Sequence, residues 1–419
     1  MRFINRQRLP EIYEHLAKPE ITLIVGARQV GKTTLMKQLV EMVQQAGKKT
    51  LFLNLDFESD YFYTASQEKL LQKIKLEFGD SSGYVFLDEI QRKENSGLFL
   101  KGLYDKGLPY KFVVSGSGSM ELKEKIHESL AGRKRVFELS TISLWEFVQY
   151  KTAYAYEEKL PAFFELEEHK AELMLQEYLA YGGYPRVVIE RQGREKLLLM
   201  NEIYDSYLRK DIAWLLKLDR ADVFTTLIRL CAHSCGAILN YSTLAADAGL
   251  SVPTLKKYLW YAEQTYVIKR IAPFFRNKRK EIKKSPTIYF TDLGLRNFAL
   301  NLFGHDVHAI GAGRLFQNLV FLILRDVLRN AFFSIYYWRT SDQAEVDFVI
   351  QGRESIIPLE VKYSHLKRET ISRSLRSFIE AYKPAVAFVV NLNYERVVRL
   401  NQTTVKFLPY YKLYSEEFR

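Results

Sequence analysis

Leu23-Ile24-Val25-Gly26-Ala27-Arg28-Gln29-Val30-Gly31-Lys32-Thr33-Thr34 runs an apolar segment straight into G-x-x-x-x-G-K-T. The pattern is that of a phosphate-binding loop between a strand and a helix. Residues Gly26, Ala27, Arg28, Gln29, Val30, Gly31, Lys32, Thr33 and Thr34 form the expected binding segment. Backbone N–H groups and the helix N-terminus would surround a chain of phosphates. Gly26 and Gly31 permit backbone approach that a Cβ would block. Lys32 can reach the outer phosphates, and the Thr33 hydroxyl can bind Mg²⁺. Leu35, Leu39 and Val43 continue as an i, i+4 stripe, so a helix follows at once.

Working outward, Tyr84-Val85-Phe86-Leu87-Asp88-Glu89 is an apolar strand ending in two acids, preceded by the breakers Gly79, Ser81, Ser82 and Gly83. Behind such a loop, Asp88 is expected to complete the Mg²⁺ shell and Glu89 to polarise the attacking water. The plain alternative is a solvated strand end, which the complete loop upstream disfavours. The next strand ends in Ser115-Gly116-Ser117. Ser115 or Ser117 would contact the γ-phosphate or the water, and a simple Gly/Ser turn is an equally good reading. Arg133 stands between an expected helix and strand, as a candidate arginine finger for a neighbouring subunit's nucleotide or as a solvated turn. The first reading makes hydrolysis depend on an oligomer.

The 419 residues suffice for about three domains at roughly 150 residues each. No stretch approaches the roughly 18 apolar residues of a membrane span, and the first residues carry no signal-like run, so a cytoplasmic protein without membrane contact is expected. Cys231 and Cys235 flank His233 on an expected helix. Two thiols do not close a structural metal site, and buried reduced cysteines are the better reading. Net charge is +12, and residues 251–300 alone hold 11 Lys/Arg against 3 Asp/Glu. That concentration points to a polyanion partner, most simply nucleic acid, over a merely solubilising patch.

The spacing predicts an α/β module over 1–150, with strands near 21–26, 50–55, 84–88, 111–115 and 135–140 and helices over 32–46, 66–78 and 119–131. Residues 151–215 read as a helical lid or connector, interrupted by Gly182-Gly183-Tyr184-Pro185. Residues 216–304 read as a winged helix. A short helix closed by Gly249 is followed by Ser251-Val252-Pro253-Thr254, an N-cap with Pro in the first turn, and by a helix over 254–266. Strands over 267–275 and 287–290 follow. Lys256 and Lys257 on the second helix, with Arg276, Lys278, Arg279, Lys280, Lys283 and Lys284 at the hairpin tip, are the candidate phosphate contacts. Winged helices also bind proteins.

Residues 305–419 form a last α/β unit: a helix over 316–328, strands over 334–339, 345–350 and 357–361, a helix over 369–382 and a buried strand over 385–392. Asp347 on one strand and Glu360-Val361-Lys362 on the next resemble a PD-(D/E)XK nuclease core. There, two carboxylates hold a divalent cation and the lysine, on the same strand face as the glutamate, orients water. Gln317 stands where that core often has another metal-binding Glu, and an amide is a poorer ligand. DNA binding by an inactive nuclease fold is therefore the stronger expectation, with active cleavage and a purely structural acid–lysine pair as the other readings.

Gly-Ala-Arg-Gln-Val-Gly-Lys-Thr-Thr-Leu (26–35), Phe-Leu-Asp-Glu-Ile-Gln (86–91), Ser-Gly-Ser (115–117), Ser-Leu-Ala-Gly-Arg (129–133) and Gly-Gly-Tyr-Pro (182–185) stand in order with four later segments. Those are Tyr-Leu-Arg-Lys-Asp-Ile (207–212), Tyr-Phe-Thr-Asp-Leu-Gly-Leu (289–295), Glu-Val-Asp-Phe-Val-Ile (345–350) and Leu-Glu-Val-Lys (359–362). Together they resemble a prokaryotic family that joins an AAA-type ATPase module to a C-terminal domain of unknown function with a nuclease-like fold. The resemblance implies ATP and Mg²⁺ binding, ATP hydrolysis, a winged helix and a restriction-endonuclease-like tail. The expectation is an oligomeric ATPase that remodels or translocates DNA, with branched DNA one possible form. A nucleotide-gated nuclease and an ATP-driven protein-assembly switch are the alternatives.

Overall fold

Five strands lie parallel in the first sheet of the computed structural model, which describes residues 3–117, 129–206, 221–275, 285–309 and 311–418. A short helix, α1 (Leu9–His15), precedes β1 (Ile21–Gly26). There follow α2 (Lys32–Gln45), β2 (Lys49–Asn54), α3 (Glu58–Tyr61), α4 (Gln67–Phe78), β3 (Gly83–Asp88), α5 (Ser96–Asp105), β4 (Tyr110–Ser117) and β5 (Lys134–Leu139). The spatial order is β2-β3-β4-β1-β5. All four pairings are parallel, so Gly26, Asn54, Asp88, Ser117 and Leu139 end along one edge of the sheet. Open parallel sheets bind ligands along that edge.

Local sequence explains these elements. Leu35, Met36, Leu39 and Val43 bury one face of α2 against the sheet. Ser66 caps α4 by accepting from Lys69 N at 3.2 Å, and Leu70, Ile74 and Phe78 form its inner stripe. β1 is buried at every position, as expected of a strand covered on both faces. Most of the expected helix over 119–131 lies outside the described residues.

Helices α6 (Leu144–Lys151), α7 (Leu160–Leu166), α8 (Glu168–Tyr181), α9 (Pro185–Ile189) and α10 (Gly193–Tyr204) come next. A Ser143–Glu146 capping box starts α6. Then come α11 (Ala221–His233), α12 (Tyr241–Asp247), α13 (Val252–Gln264) and the antiparallel pair β6 (Ile268–Ile271) and β7 (Thr287–Phe290), with α14 (Leu293–Ala299) behind. Ser251 caps α13 through Thr254 N, as the sequence predicts. The strand expected over 267–275 is shorter. After Ile271 the chain leaves its hairpin partner, Phe274 N donates to Tyr337 O at 2.6 Å, and Phe274 is buried in the C-terminal core.

The last unit opens with α15 (Ala312–Val327), which begins before the expected 316. It continues through β8 (Ser334–Arg339), β9 (Glu345–Gln351), β10 (Ile356–Val361), α16 (Arg373–Tyr382), β11 (Val386–Asn391), β12 (Arg396–Leu400) and β13 (Thr403–Pro409). Helix α16 starts at Arg373 rather than 369 because Ser372 caps it, accepting from Leu375 N at 3.0 Å. The six strands are ordered β12-β13-β11-β10-β9-β8. Along β11, Phe388 and Val390 face the main core while Ala387 and Val389 face a second core with Leu375 and Phe378 of α16, so both faces are covered.

A glycine junction ties the middle of the chain to the first module. Gly183 N donates to Asp292 Oδ2 at 2.8 Å, Leu295 N donates to Asp292 Oδ1 at 2.9 Å, and Ile142 N donates to Gly183 O at 2.7 Å. A Cβ on Gly183 would sit 2.1 Å from Ile142 O, and one on Gly294 would sit 2.1 Å from Tyr181 O. Backbone packs on backbone here, with no room for a methyl group. Gly294→Ala should therefore lower unfolding stability by about 2 kcal/mol or more. Gly313→Ala, at an exposed helical site with nothing within 4 Å, should raise it by roughly 0.5 kcal/mol. Urea denaturation of both variants reads the two opposite signs.

Candidate functional site

The strand-to-helix loop after β1 is closely packed at the C-terminal sheet edge. A Cβ on Gly26 would sit 2.2 Å from Leu139 O, and Gly31 has φ +96°. Lys32 is buried, and its ammonium donates to Ala27 O at 2.8 Å and Gly26 O at 3.2 Å. Burial lowers its pKa, opposed by the nearby Glu89 and Asp88 carboxylates. Thr33 Oγ1 donates to Asp88 Oδ2 at 2.6 Å. The Ser115 hydroxyl donates to the other oxygen of Asp88, and Glu89 N donates to Ser115 Oγ at 3.3 Å. Lys32, Thr33, Asp88, Glu89 and Ser115, five of the residues singled out in the sequence, thus meet at the ends of three adjacent parallel strands.

Glu89 has φ +58°, a left-handed conformation unusual for a non-glycine residue and common where a side chain must be aimed. Gln91 donates to its carboxylate, and Ser117 N donates to Gln91 Oε1 at 3.1 Å. Ser117 thus meets the site through its backbone. Hard oxygen donors from Thr33 and Asp88, already in contact, fit a Mg²⁺ ion.

Some residues here escaped sequence reading. Arg6 is buried. It donates to Val30 O at 2.8 Å and Ser140 O at 2.6 Å, and it pairs with the buried Glu146 at 3.2 Å. Arg186 Nη1 donates to Gln29 Oε1 at 3.4 Å, and Gln29 Nε2 donates to Ser206 Oγ at 3.4 Å. A Cβ on Gly31 would lie 3.9 Å from Pro185 Cγ, so the Gly-Gly-Tyr-Pro turn abuts the loop. Gln91 and Pro185 stand inside motifs visible in the sequence; nothing local marks Arg6.

Arg133 lies elsewhere. Ile21 pairs with Lys134 and Gly26 with Leu139, so Arg133 stands at the opposite end of β5, roughly 20 Å from its own loop. It pairs with Asp105 at 2.6 Å on the surface. Lys256 and Lys257 are exposed on α13, with ammonium groups 5.1 Å from the Tyr241 ring and 5.7 Å from the Tyr261 ring. Arg276, Lys278, Arg279, Lys280, Lys283 and Lys284 lie outside the described residues.

The second acidic constellation also assembles. Asp347 Oδ2 accepts from Val361 N at 2.7 Å and Oδ1 from Gln317 Nε2 at 2.7 Å. Glu360 Oε1 pairs with Lys362 Nζ at 2.6 Å, while Glu360 Oε2 is buried without a hydrogen-bond partner. Burial pushes the Asp347 carboxyl up to about 7, helped by Glu360 and Glu345. Among the described residues no group of three or more His, Cys, Asp and Glu side chains is placed to hold a metal ion. Cys231 and Cys235 are buried free thiols, pushed up to about 12 and about 11 by burial. Cys235 Sγ donates to Asn318 Oδ1 at 2.9 Å.

Comparison with known proteins matches three segments of the chain. Residues 18–148 match a family model described as an AAA domain. Residues 172–306 and 312–413 match two domains of unknown function, DUF8612 and DUF4143. The uncharacterized protein Rv2008c of Mycobacterium tuberculosis is 25% identical over 381 residues, covering 89% of this chain and 76% of that protein. The uncharacterized protein MJ1544 of Methanocaldococcus jannaschii is 25% identical over 400 residues, covering 93% and 84%. Among solved structures, the Aeropyrum pernix ORC1 protein in complex with DNA is similar at a TM-score of 0.31 and 12% identity, covering 71% of this chain and 93% of that one. By its family match, the first module is a P-loop AAA-type domain. Among the described residues no helix is long and apolar enough to cross a membrane.

Arg6 joins this module to Glu146 across 140 positions of sequence. Arg6→Ala should cost about 3 kcal/mol, because it leaves a buried carboxylate without its cation. The urea midpoint should fall at unchanged slope.

Proposed function

We propose that the protein is an oligomeric ATPase that binds DNA and remodels or translocates it. The contact of Thr33 and Ser115 with one buried carboxylate, Asp88, directly beside the loop carries the ATPase part of this reading. Lys32 swings from the loop carbonyls to the β- and γ-phosphates of ATP. Thr33 and Asp88 hold Mg²⁺, which when bound neutralises charge on the phosphates. Glu89 accepts a proton from the attacking water, and its strained backbone and Gln91 contact aim the carboxylate. Ser115 orients Asp88 and the Glu89 backbone. The turn carrying Pro185 and Arg186 acts as a lid over the loop. Arg133, half-buried and far from its own loop, exchanges its Asp105 partner for a neighbouring subunit's nucleotide, and self-association into a ring follows from that role.

The winged-helix reading of residues 216–304 is supported by capped α12 and α13 followed by a hairpin, and the DNA reading by the charge excess there. The exposed Lys256 and Lys257 and the six basic residues of the hairpin tip serve as phosphate contacts. The nuclease-like reading of residues 305–419 is supported by the meeting of Asp347, Glu360 and Lys362. A second function, Mg²⁺-dependent DNA cleavage, is favoured by the unpartnered Glu360 oxygen and opposed by Gln317, whose amide occupies Asp347. Asp347→Ala separates the two: under the nuclease reading it abolishes cutting and spares ATP turnover.

Glu89→Gln should lower ATP turnover about a hundredfold or more while ATP binding persists. Retained turnover would remove the base assignment. Affinity for duplex DNA should fall steeply with salt, and replacing Lys256 and Lys257 together by Ala should flatten the log–log salt slope by about two. A slope unchanged in that variant would place the DNA contacts elsewhere.

A further inference from the structure

We propose that the cleft where the AAA module, the β6–β7 hairpin and the C-terminal unit meet binds a phosphate-bearing small molecule of nucleotide size, separately from the P-loop. The cleft has a volume of about 580 Å³, within the range of small-molecule sites. Its walls come from α1, β5 and the turn after it, β6, and the end of α15 with the chain leading into β8; none of residues 26–34 lines it.

Its charge is unbalanced. Arg8, Arg135, Lys269, Arg325 and Arg329 face the cleft, against Glu11, Glu138 and Asp326. Glu138 is engaged by Arg325 at 2.6 Å, and Glu11 is shared between Arg8 at 3.5 Å and Arg135 at 4.0 Å. Arg270, also in the lining, is already satisfied by Glu263. Arg329 stands near both Asp326 and Arg8, and its charge together with burial lowers the Arg8 pKa. Five cationic side chains, of which Arg8, Arg325 and Arg329 are half-buried and Arg135 and Lys269 exposed, thus stand against three carboxylates, and a bound phosphate offsets that positive excess through charge-assisted, bidentate hydrogen bonds.

The rest of the lining says what accompanies the phosphate. Val136, Leu322, Phe333 and Ile335 give the same cleft apolar surface suited to a flat ring. Arginine forks beside apolar walls match a molecule that is part ring and part phosphate. A ligand there touches all three units at once, so its binding free energy depends on their relative placement, and by linkage it biases that placement.

The test uses the full-length Lys32→Ala protein, which weakens binding at the P-loop, titrated calorimetrically with inorganic pyrophosphate and with ADP. At least one probe should bind saturably, with a dissociation constant below ~1 mM. Adding Arg329→Gln should weaken that binding about tenfold or more, and Arg135→Gln, at an exposed position on β5, should weaken it several-fold. Arg329→Lys, which keeps the charge, should retain part of the affinity. The proposal is overturned if neither probe binds, or if binding is indifferent to both Gln substitutions. It is also overturned if a short single-stranded oligonucleotide binds where neither small probe does. Failure of the P-loop assignment would appear separately, as ATP binding that is the same in wild type and Lys32→Ala.

Discussion

A buried carboxylate organises the first module. Asp88 is fully buried, and it accepts hydrogen bonds from Thr33 on α2 and Ser115 on β4. A carboxylate withdrawn from water is costly unless it is hydrogen-bonded or meets a cation. These two hydroxyls reduce that cost and, in doing so, register three chain segments against one another. Lys32 adds a nearby positive charge without a direct contact to Asp88, because its ammonium is engaged by the loop carbonyls. The arrangement is suited to rearrangement: under the proposed function, Mg²⁺ and a triphosphate would give both charges better partners than the protein alone supplies.

What happens at that loop has a physical route outward. Pro185 abuts Gly31, and two residues earlier Gly183 donates to Asp292, the N-cap of α14. Burial raises the Asp292 pKa, while backbone donors from Gly183 and Leu295 favour its charged form. Ile142, at the exit of β5, bonds to Gly183 O. The helical segment around Gly183, the hairpin unit and the first sheet therefore meet in backbone-to-backbone contacts with no slack. A rigid junction of this kind passes on small displacements where a loosely packed one absorbs them.

Much of this was legible in the sequence, and the reasons are local. Gly26–Lys32, Asp88 and Ser115 sit at strand ends, and strand ends are readable from an apolar run and its terminator. Ser251 and Pro253 announced α13 in the same way. Arg6 was not legible, because its partner Glu146 lies 140 positions away and neither residue belongs to a periodic pattern. The antiparallel pair β12 and β13 was also missed: in β12 only Val398 and Leu400 pack, half-buried, on the second core, and the exposed Val397 beside them blurs the alternation. The second acidic cluster was legible as a spacing, Asp347 then Glu360-Val361-Lys362. That Gln317 donates directly to Asp347 required coordinates.

The central claim is that a triphosphate and its Mg²⁺ are held by the loop and Asp88 together. Its most direct test is calorimetric titration of ATP into wild type and Asp88→Asn, each with and without Mg²⁺. The account predicts that Mg²⁺ tightens ATP binding to wild type, and that Asp88→Asn loses most of that gain while still binding ATP without metal. Wild-type protein that does not bind ATP, or an equal Mg²⁺ gain in both proteins, would contradict it.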